Sequence, residues 1–321
     1  MKKKLSRLFW LALLLTLLYF ALRNAPLTEI FNALKNLKFW QVGIILAINI
    51  FVLLCMTARW WIIVRAENPS VPFLRMLSYR LTAFGISYFT PGPQVGGEPF
   101  QVLALQKNHG LTLARASSAV VLDKLLEFIA NFILIGAGAW SIVSQGLLLE
   151  TGARLGLGLS GLAVLLASPL VYILLLYAGI RPVSKLLASQ SNKNNKTIRL
   201  VRATEWMASS FCRKHFRAMR LALGVSLAAI FGIALEYFLM TRFLEIKISV
   251  PQTLAALTAM QISFLMPLPG GLGALEASQV FALGVFGQSP ATAIGLTLLM
   301  RARDLLNGVA GLLLAGRHIA Q

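Results

Sequence analysis

Long apolar runs separated by short polar segments dominate the chain. Each long run is close to, or above, the roughly 20 residues that an α-helix needs to cross the hydrocarbon core of a bilayer. The pattern predicts an all-α integral membrane protein, a polytopic helix bundle that forms a single transmembrane domain over residues 1–321. The predicted spans are Leu5–Leu22, Val42–Val64, Ser117–Val143, Gly156–Ala178, Leu221–Leu244 and Ala291–Ala315.

Two further apolar segments, about Phe73–Lys107 and Pro251–Phe286, are broken by proline and glycine. Paired segments of this kind are typical of transporter binding sites, where half-helices end near the middle of the membrane. We interpret both as re-entrant broken-helix hairpins whose tips meet there, although proline and glycine are also tolerated in ordinary spanning helices. The residues that make the breaks are Pro91, Pro93, Gly96, Gly97, Pro267, Pro269, Gly270 and Gly271.

The two broken segments are copies of one another. Thr82–Pro93 is echoed by Thr258–Pro269 at a constant offset in residue number (258 − 82 = 269 − 93 = 176). Arg59–Arg65 aligns with Glu236–Arg242 at nearly the same offset (236 − 59 = 177). Because an odd number of spans, three, separates the hairpins, the second copy is expected to be inverted. The sequence therefore predicts an inverted repeat over about 40–143 and 217–316, a construction used by secondary transporters.

Composition and charge support a membrane location. Charged residues make up 13% of the chain, about half the share found in soluble domains, and the formal net charge is +19. The basic residues collect in loops, above all in a basic loop over 181–220, which places that loop and both termini in the cytoplasm. We expect a multi-pass protein of the plasma membrane with an uncleaved first span, and no binding to nucleic acid.

Charged residues inside the predicted spans are the candidates for chemistry, because each costs roughly 2.5–3.5 kcal/mol to insert. Lys124 with Glu127, and Arg301 with Asp304, could pair on one helix face at i,i+3 spacing. This pairing would leave Asp123 and Arg303 without partners, which favours a polar path. The predicted path residues are Gly96, Gly97, Glu98, Gly270, Gly271, Glu276, Asp123, Lys124, Glu127, Arg301, Arg303, Asp304, Glu236 and Arg59.

Half-helices are expected to begin after each break, near Glu98 and near Ala274. Their N-termini carry unbonded amides and a positive dipole end, which suits an anion such as a lipid phosphate. Glu98 could cap its own helix instead, or bind a proton or a cationic headgroup. Glu276 lies slightly further into its helix and favours a functional role.

Several kinds of chemistry have no support in the sequence. No G-x-x-x-x-G-K-[ST] loop appears, so we expect no ATP motor, and the histidines form no metal set. Cys55 lies in an apolar span and Cys212 in the basic loop, so we expect no disulfide. No metal, cofactor or catalytic residue is predicted.

The Gly97-Glu98 pair, the string Pro269-Gly270-Gly271-Leu272-Gly273-Ala274-Leu275-Glu276 and the charged helix after each resemble a known family. It is the flippase-like integral membrane family that contains the lysylphosphatidylglycerol synthase transmembrane region, the membrane half of the multiple peptide resistance factor. The resemblance covers nearly the whole chain. It implies handling of a phospholipid or lipid-linked headgroup, since members act on aminoacylated phosphatidylglycerol or around polyprenyl-linked sugars.

The chain departs from this family at two places. Gln94 stands where the family often has an arginine, which weakens the case for a strongly anionic headgroup. Asp123-Lys124-x-x-Glu127 replaces the commoner Glu-Arg-x-x-Asp, a conservative match. The aminoacyl-transfer domain of the full synthase is missing, so we do not expect this chain to make lysylphosphatidylglycerol by itself.

The sequence thus predicts a lipid flippase whose partners are membrane lipids: anionic or aminoacylated phospholipids, or a polyprenyl-linked lipid. Two alternatives stay open at this point. One is a membrane-embedded transferase that acts on a lipid-linked substrate, and the other is a non-transporting partner of a lipid-modifying enzyme.

Overall fold

The computed structural model describes residues 37–90, 96–144, 153–188, 195–266 and 268–320, and these residues are helical with short connections. The first predicted span and three of the break prolines, Pro91, Pro93 and Pro267, lie outside them. The helices are α1 (Phe39–Glu67), α2 (Phe73–Phe89), α3 (Glu98–His109), α4 (Leu113–Ser144), α5 (Ala153–Tyr177), α6 (Pro182–Ala188), α7 (Lys196–Lys214), α8 (Phe216–Phe243), α9 (Val250–Ser263), α10 (Ala274–Val285) and α11 (Pro290–Ala320).

The predicted spans that fall on described residues each coincide with one long helix, namely α1, α4, α5, α8 and α11. The helices α1 and α8 are both long and apolar enough to cross a membrane. The helices α4 and α11 have comparable lengths of 32 and 31 residues, but they carry the charged clusters near their middles. Long apolar runs therefore located the helices correctly, with the ends extended by a few residues.

Both broken segments end one helix and begin another at the predicted places. The first break separates α2 from α3, which begins at Glu98, and the second separates α9 from α10, which begins at Ala274. In the second break a single 3₁₀ turn over Pro269–Gly271 reverses the chain. Gly270 and Gly271 have φ angles of 54° and 64°, a left-handed conformation that glycine adopts without steric cost. The glycines are therefore required by the turn.

Helix starts recur along the chain at a nearly constant spacing. The first residues of α1, α2 and α4 share one offset from those of α8, α9 and α11 (216 − 39 = 250 − 73 = 290 − 113 = 177). The starts of α3 and α10 depart from it by a single position (274 − 98 = 176). The paired lengths are also similar: 29 and 28, 17 and 14, 12 and 12, and 32 and 31 residues. The offset found in two short sequence segments thus extends to every helix of the two sets.

The chain forms two compact units that are interleaved in sequence. The first unit combines residues 1–51, 77–98 and 232–321, and the second combines residues 52–76 and 99–231. Neither unit matches one sequence repeat, because the broken segment at 77–98 belongs with the C-terminal helices. The chain therefore passes from one unit to the other several times, instead of completing the first unit before it begins the second.

Within the first unit, α2 and α11 approach until their backbones touch. A Cβ atom built on Gly85 would lie 2.7 Å from the carbonyl oxygen of Gly308, and one built on Gly311 would collide with the carbonyl group of Leu81. Small residues allow such close approach between membrane helices, where packing replaces the hydrophobic effect as the source of association. Glycine is needed at these positions because of the space available.

Gly311→Ala is therefore expected to destabilise the protein by about 1–3 kcal/mol, the usual cost of overpacking. Gly295→Ala in the same helix is the matched control, since nothing lies within 4 Å of a Cβ atom there. The control should be neutral or slightly stabilising. Thermal unfolding of both purified variants in one detergent measures the difference, and equal midpoints would contradict the close contact.

In the second unit, the basic loop over 181–220 is largely helical. The amphipathic helix α7 packs against α4 and α5, and its buried face carries Glu205, Ala208, Ser209, Phe211 and Cys212. The carboxylate of Glu205 accepts hydrogen bonds from the backbone amides of Val183 and Ser184 and from the Tyr172 hydroxyl. Glu205 thereby caps the N-terminus of α6, whose first amides have no partner within that helix.

Both cysteines are free thiols, as the sequence predicts. Burial raises the pKa of the Cys212 thiol in α7 to about 12. This thiol is therefore protonated and unreactive near neutral pH, because the thiolate is the reactive form.

Candidate functional site

The first charged cluster joins α1 to α4 within the second unit. Arg59 on α1 donates from Nε to Asp123 Oδ1 and from Nη2 to Glu127 Oε2, both at 2.6 Å. Lys124 donates to Glu127 Oε1 at 3.1 Å, which confirms the predicted i,i+3 pair. Pairing within α4 alone would leave Asp123 without a partner. Its partner is Arg59, on a helix that the spacing within α4 could not reveal.

Burial is graded across this cluster. The side chains of Arg59 and Asp123 are 2% and 1% exposed, whereas those of Lys124 and Glu127 are 23% and 15% exposed. The inner pair is almost completely buried. Removal of either partner would leave an uncompensated buried charge, which is strongly destabilising. The outer pair retains polar atoms that a ligand could contact.

The second cluster lies in the first unit and has Arg301 of α11 at its centre. Arg301 donates from Nε and Nη2 to the two carboxylate oxygens of Glu276 at 2.9 and 3.1 Å. The same guanidinium group donates to the carbonyl oxygens of Gly270 and Gly271, the latter at 3.1 Å, and to the Tyr88 hydroxyl at 3.4 Å. The Arg301 side chain of α11 thereby links the turn at Gly270 and Gly271 to α10 and to the end of α2.

The i,i+3 pairing that the spacing allows between Arg301 and Asp304 does not form, because Arg301 is directed to the turn. Asp304 instead accepts from Arg303, at 2.9 Å from Nε and 2.8 Å from Nη2. Arg303 also donates from Nη1 to Glu236 Oε2 on α8, at 2.7 Å. Arg303, which pairing within α11 alone would leave without a partner, therefore binds two carboxylates.

At the start of α3, the loop amides are bound by nearby side chains. The backbone amide of Gly96 donates to Glu98 Oε2 at 2.9 Å, and that of Gly97 donates to Ser87 Oγ at 2.8 Å. A Cβ atom on Gly97 would collide with the backbone of Ala83 in α2. The Glu98 carboxylate thus binds the backbone just before its own helix.

Glu276 has the same role at the start of α10. Its Oε2 accepts from the backbone amide of Gly273 at 2.9 Å, while both of its oxygens bind Arg301. The side chain is nonetheless 34% exposed. The helix N-terminus that the sequence offered to a phosphate is therefore already occupied by a carboxylate of the same chain.

The two clusters occupy equivalent positions in their helices. Arg59 and Glu236 lie equally far along α1 and α8 (59 − 39 = 236 − 216 = 20). Glu127 and Asp304 lie equally far along α4 and α11 (127 − 113 = 304 − 290 = 14), which is about 21 Å from the start at roughly 1.5 Å per residue. A charge of opposite sign thus occupies the same position in α1 and α8, and both clusters lie near the middle of long helices.

A family model described as the lysylphosphatidylglycerol synthase TM region matches residues 7–311, almost the whole chain. The chain belongs to this family. Two archaeal relatives are described as UPF0104 membrane proteins. That of Methanothermobacter thermautotrophicus is 24% identical over 303 residues, covering 85% of this chain and 83% of the relative. That of Methanocaldococcus jannaschii is 23% identical over 281 residues, covering 86% and 83%. No solved structure matches the chain.

Membership in this family confirms the resemblance seen in the sequence and supports a lipid-related role in a membrane. Sequence reasoning missed one member of the site, Tyr88, whose hydroxyl receives Arg301 and whose ring lies under Gly270. Its position within the first repeated segment was the available signal. Tyr88 aligns with Phe264 of the second copy, so a hydroxyl is present in only one of the two.

Proposed function

We propose that this protein moves lipid headgroups between the two leaflets of the membrane, and that each unit offers the headgroup polar surface, at the middle of α4 in one and of α11 in the other. One observation carries the proposal: charged side chains near the middle of the long helices α4 and α11 are partly exposed. Lys124 and Glu127 on α4 are 23% and 15% exposed, and Arg303 on α11 is 14% exposed. Glu276, which binds Arg301 from the start of α10, is 34% exposed.

Exposed charge at this depth is expensive if it faces acyl chains. Insertion costs of roughly 2.5–3.5 kcal/mol per charge mean that such groups normally face a partner or a water-filled cavity. The buried members of each cluster, such as Asp123 and Glu236, each bind an arginine. The exposed members, Lys124, Glu127, Glu276 and Arg303, favour polar surroundings through which a headgroup could pass while its acyl chains stay in the bilayer.

Re-entrant hairpins arranged as an inverted repeat are the second part of the proposal. The broken helices have 12 to 17 residues, or about 18–26 Å, less than the roughly 30 Å of the hydrocarbon core. Three long helices, α4, α5 and α8, separate the hairpins. If each crosses once, the second hairpin enters from the opposite side, as alternating access by exchange of two halves requires.

The mixed signs of the exposed charges indicate the substrate class. Each unit carries exposed charges of both signs: Lys124 with Glu127 in the second unit, and Arg303 with Glu276 in the first. In each unit the cation suits a phosphate and the carboxylate suits an amine, so a headgroup with both groups fits better than a purely anionic one. We propose a multi-pass protein of the plasma membrane with both termini in the cytoplasm. Aminoacylated phospholipid is the substrate class that best unites this charge pattern with the family.

The exposed pair on α4 provides the test. Lys124→Gln combined with Glu127→Gln should slow leaflet exchange by about tenfold or more, since 1.4 kcal/mol of lost headgroup interaction is a factor of ten. The measurement uses fluorescent aminoacylated phosphatidylglycerol in proteoliposomes, with a membrane-impermeant quencher that reads the outer leaflet. Fluorescent phosphatidylglycerol in parallel liposomes tests the preference for an amine.

Lys185→Gln on the short helix α6 is the control, since Lys185 is exposed and lies outside both clusters. It should exchange lipid at the wild-type rate. Wild-type rates in the double variant as well would contradict the proposed path. Chemical conversion of the lipid without a change of leaflet would instead support the transferase alternative.

A further inference from the structure

The carboxylate of Glu236 on α8 has one oxygen that the structure leaves without a hydrogen bond. The residue is 1% exposed, and Oε2 accepts from Arg303. Oε1 is buried and has no hydrogen-bond partner among the described residues. Buried polar atoms are almost always satisfied, so an orphaned carboxylate oxygen indicates a missing proton, ion or water.

Charge balance distinguishes this site from the cluster on α4. There, the ion pairs seen among the described residues join Arg59 and Lys124 to Asp123 and Glu127, two charges of each sign. Around Arg303, a single guanidinium group faces the two carboxylates of Glu236 and Asp304. The trio therefore carries one excess negative charge when all three groups are ionised.

The excess follows from the direction in which Arg301 points. By position in its helix, Arg301 corresponds to Lys124, which pairs with Glu127 at i,i+3 spacing. Arg301 is directed away from Asp304 toward Glu276 and the carbonyl oxygens of the turn. Arg301, the cation that would have balanced Asp304, therefore binds Glu276 instead.

We propose that Glu236 is a proton-binding site, with the proton held on Oε1. Binding of one proton from water converts the carboxylate to a carboxylic acid, brings the trio to zero charge and gives Oε1 a hydrogen to donate. The charged groups that act on Glu236 are Arg303 and Asp304, both on α11. Nearby Arg301 and Glu276 neutralise one another.

Release and rebinding of this proton would change the charge beside Arg303, a partly exposed member of the proposed headgroup surface. The site could therefore couple lipid movement to a proton gradient. Only this coupling rests on the proposed function. The proton site itself depends on the geometry and charge of three side chains.

Infrared difference spectroscopy of the purified protein in lipid nanodiscs tests the site directly, since the C=O stretch of a protonated carboxylic acid is separate from that of a carboxylate. As the pH is raised from acid to alkaline values, the wild-type protein should lose one such band that comes from Glu236, and the band should shift in D₂O. Glu236→Gln should lack it. Glu127→Gln, in the balanced cluster, should retain it.

Asp304→Asn is a second variant that does not alter Glu236. Removal of the neighbouring negative charge stabilises the ionised form of Glu236, so the band should disappear at a lower pH than in the wild-type protein. Retention of the band in Glu236→Gln would overturn the proposal, as would its absence from the wild-type protein, and an unchanged titration in Asp304→Asn would contradict the charge argument. The infrared experiment measures no lipid transport. A failure of the proton site is therefore distinguishable from a failure of the proposed lipid movement, which the proteoliposome assay measures.

Discussion

Arg301→Ala is expected to release the reversed turn between α9 and α10 and to destabilise the protein by about 3 kcal/mol or more. Hydrogen bonds from a charged group contribute about 1.5–3 kcal/mol each, and the substitution removes two of them to the carbonyl oxygens of Gly270 and Gly271. It also removes the two-pronged pair with Glu276. Thermal unfolding in detergent, followed by fluorescence-detected size exclusion, measures the loss.

Arg301→Lys separates charge from geometry. A single ammonium group cannot reproduce the planar fork that reaches Glu276 and both carbonyl oxygens, so this variant should recover only part of the lost stability. Arg217→Ala, at an exposed position near the start of α8, is the control and should unfold like the wild-type protein. Full stability of Arg301→Lys would show that charge alone holds the turn.

Arg59→Leu should be about equally damaging, with a loss of about 3–5 kcal/mol, because it leaves a sealed carboxylate without its cation. Asp123 is 1% exposed and bonds to Arg59 at 2.6 Å. Lys124→Leu in the same cluster should cost less than about 1 kcal/mol, because partly exposed ion pairs contribute little. Equilibrium unfolding in mixed micelles gives both values.

A double variant checks the cause of the Arg59 effect. Asp123→Asn in the Arg59→Leu background removes the uncompensated charge and should restore part of the stability, although Asp123→Asn alone destabilises. If the double variant is no more stable than Arg59→Leu, the loss comes from packing of the arginine stem and the charge argument fails.

The positions of the helices could be predicted from the sequence because hydrophobic length and proline-glycine interruptions are local signals. The helix that begins at Glu98 and the turn at Gly270 both follow from residues adjacent to them. The two broken segments also touch, since Gly270 packs on the ring of Tyr88. This contact was expected from the repeat alone.

The choice of partner within the charged clusters could not be predicted. Spacing along one helix identifies neighbours at i,i+3, which was correct for Lys124 and wrong for Arg301. A long, forked side chain reaches neighbouring helices, and nothing in the local sequence states that Glu276, in the preceding helix, is closer than Asp304. The interleaving of the two units is equally non-local, since the sequence repeats suggested two consecutive halves.

The contact between Gly85 and the backbone at Gly311 has a consequence for biosynthesis. The two residues are far apart in the chain (311 − 85 = 226), so a ribosome adding about 5–20 residues per second needs roughly 11–45 s to supply the second after the first. During that interval the glycine face of α2 lacks the helix that packs against it in the finished protein. This contact can therefore form only at the end of synthesis.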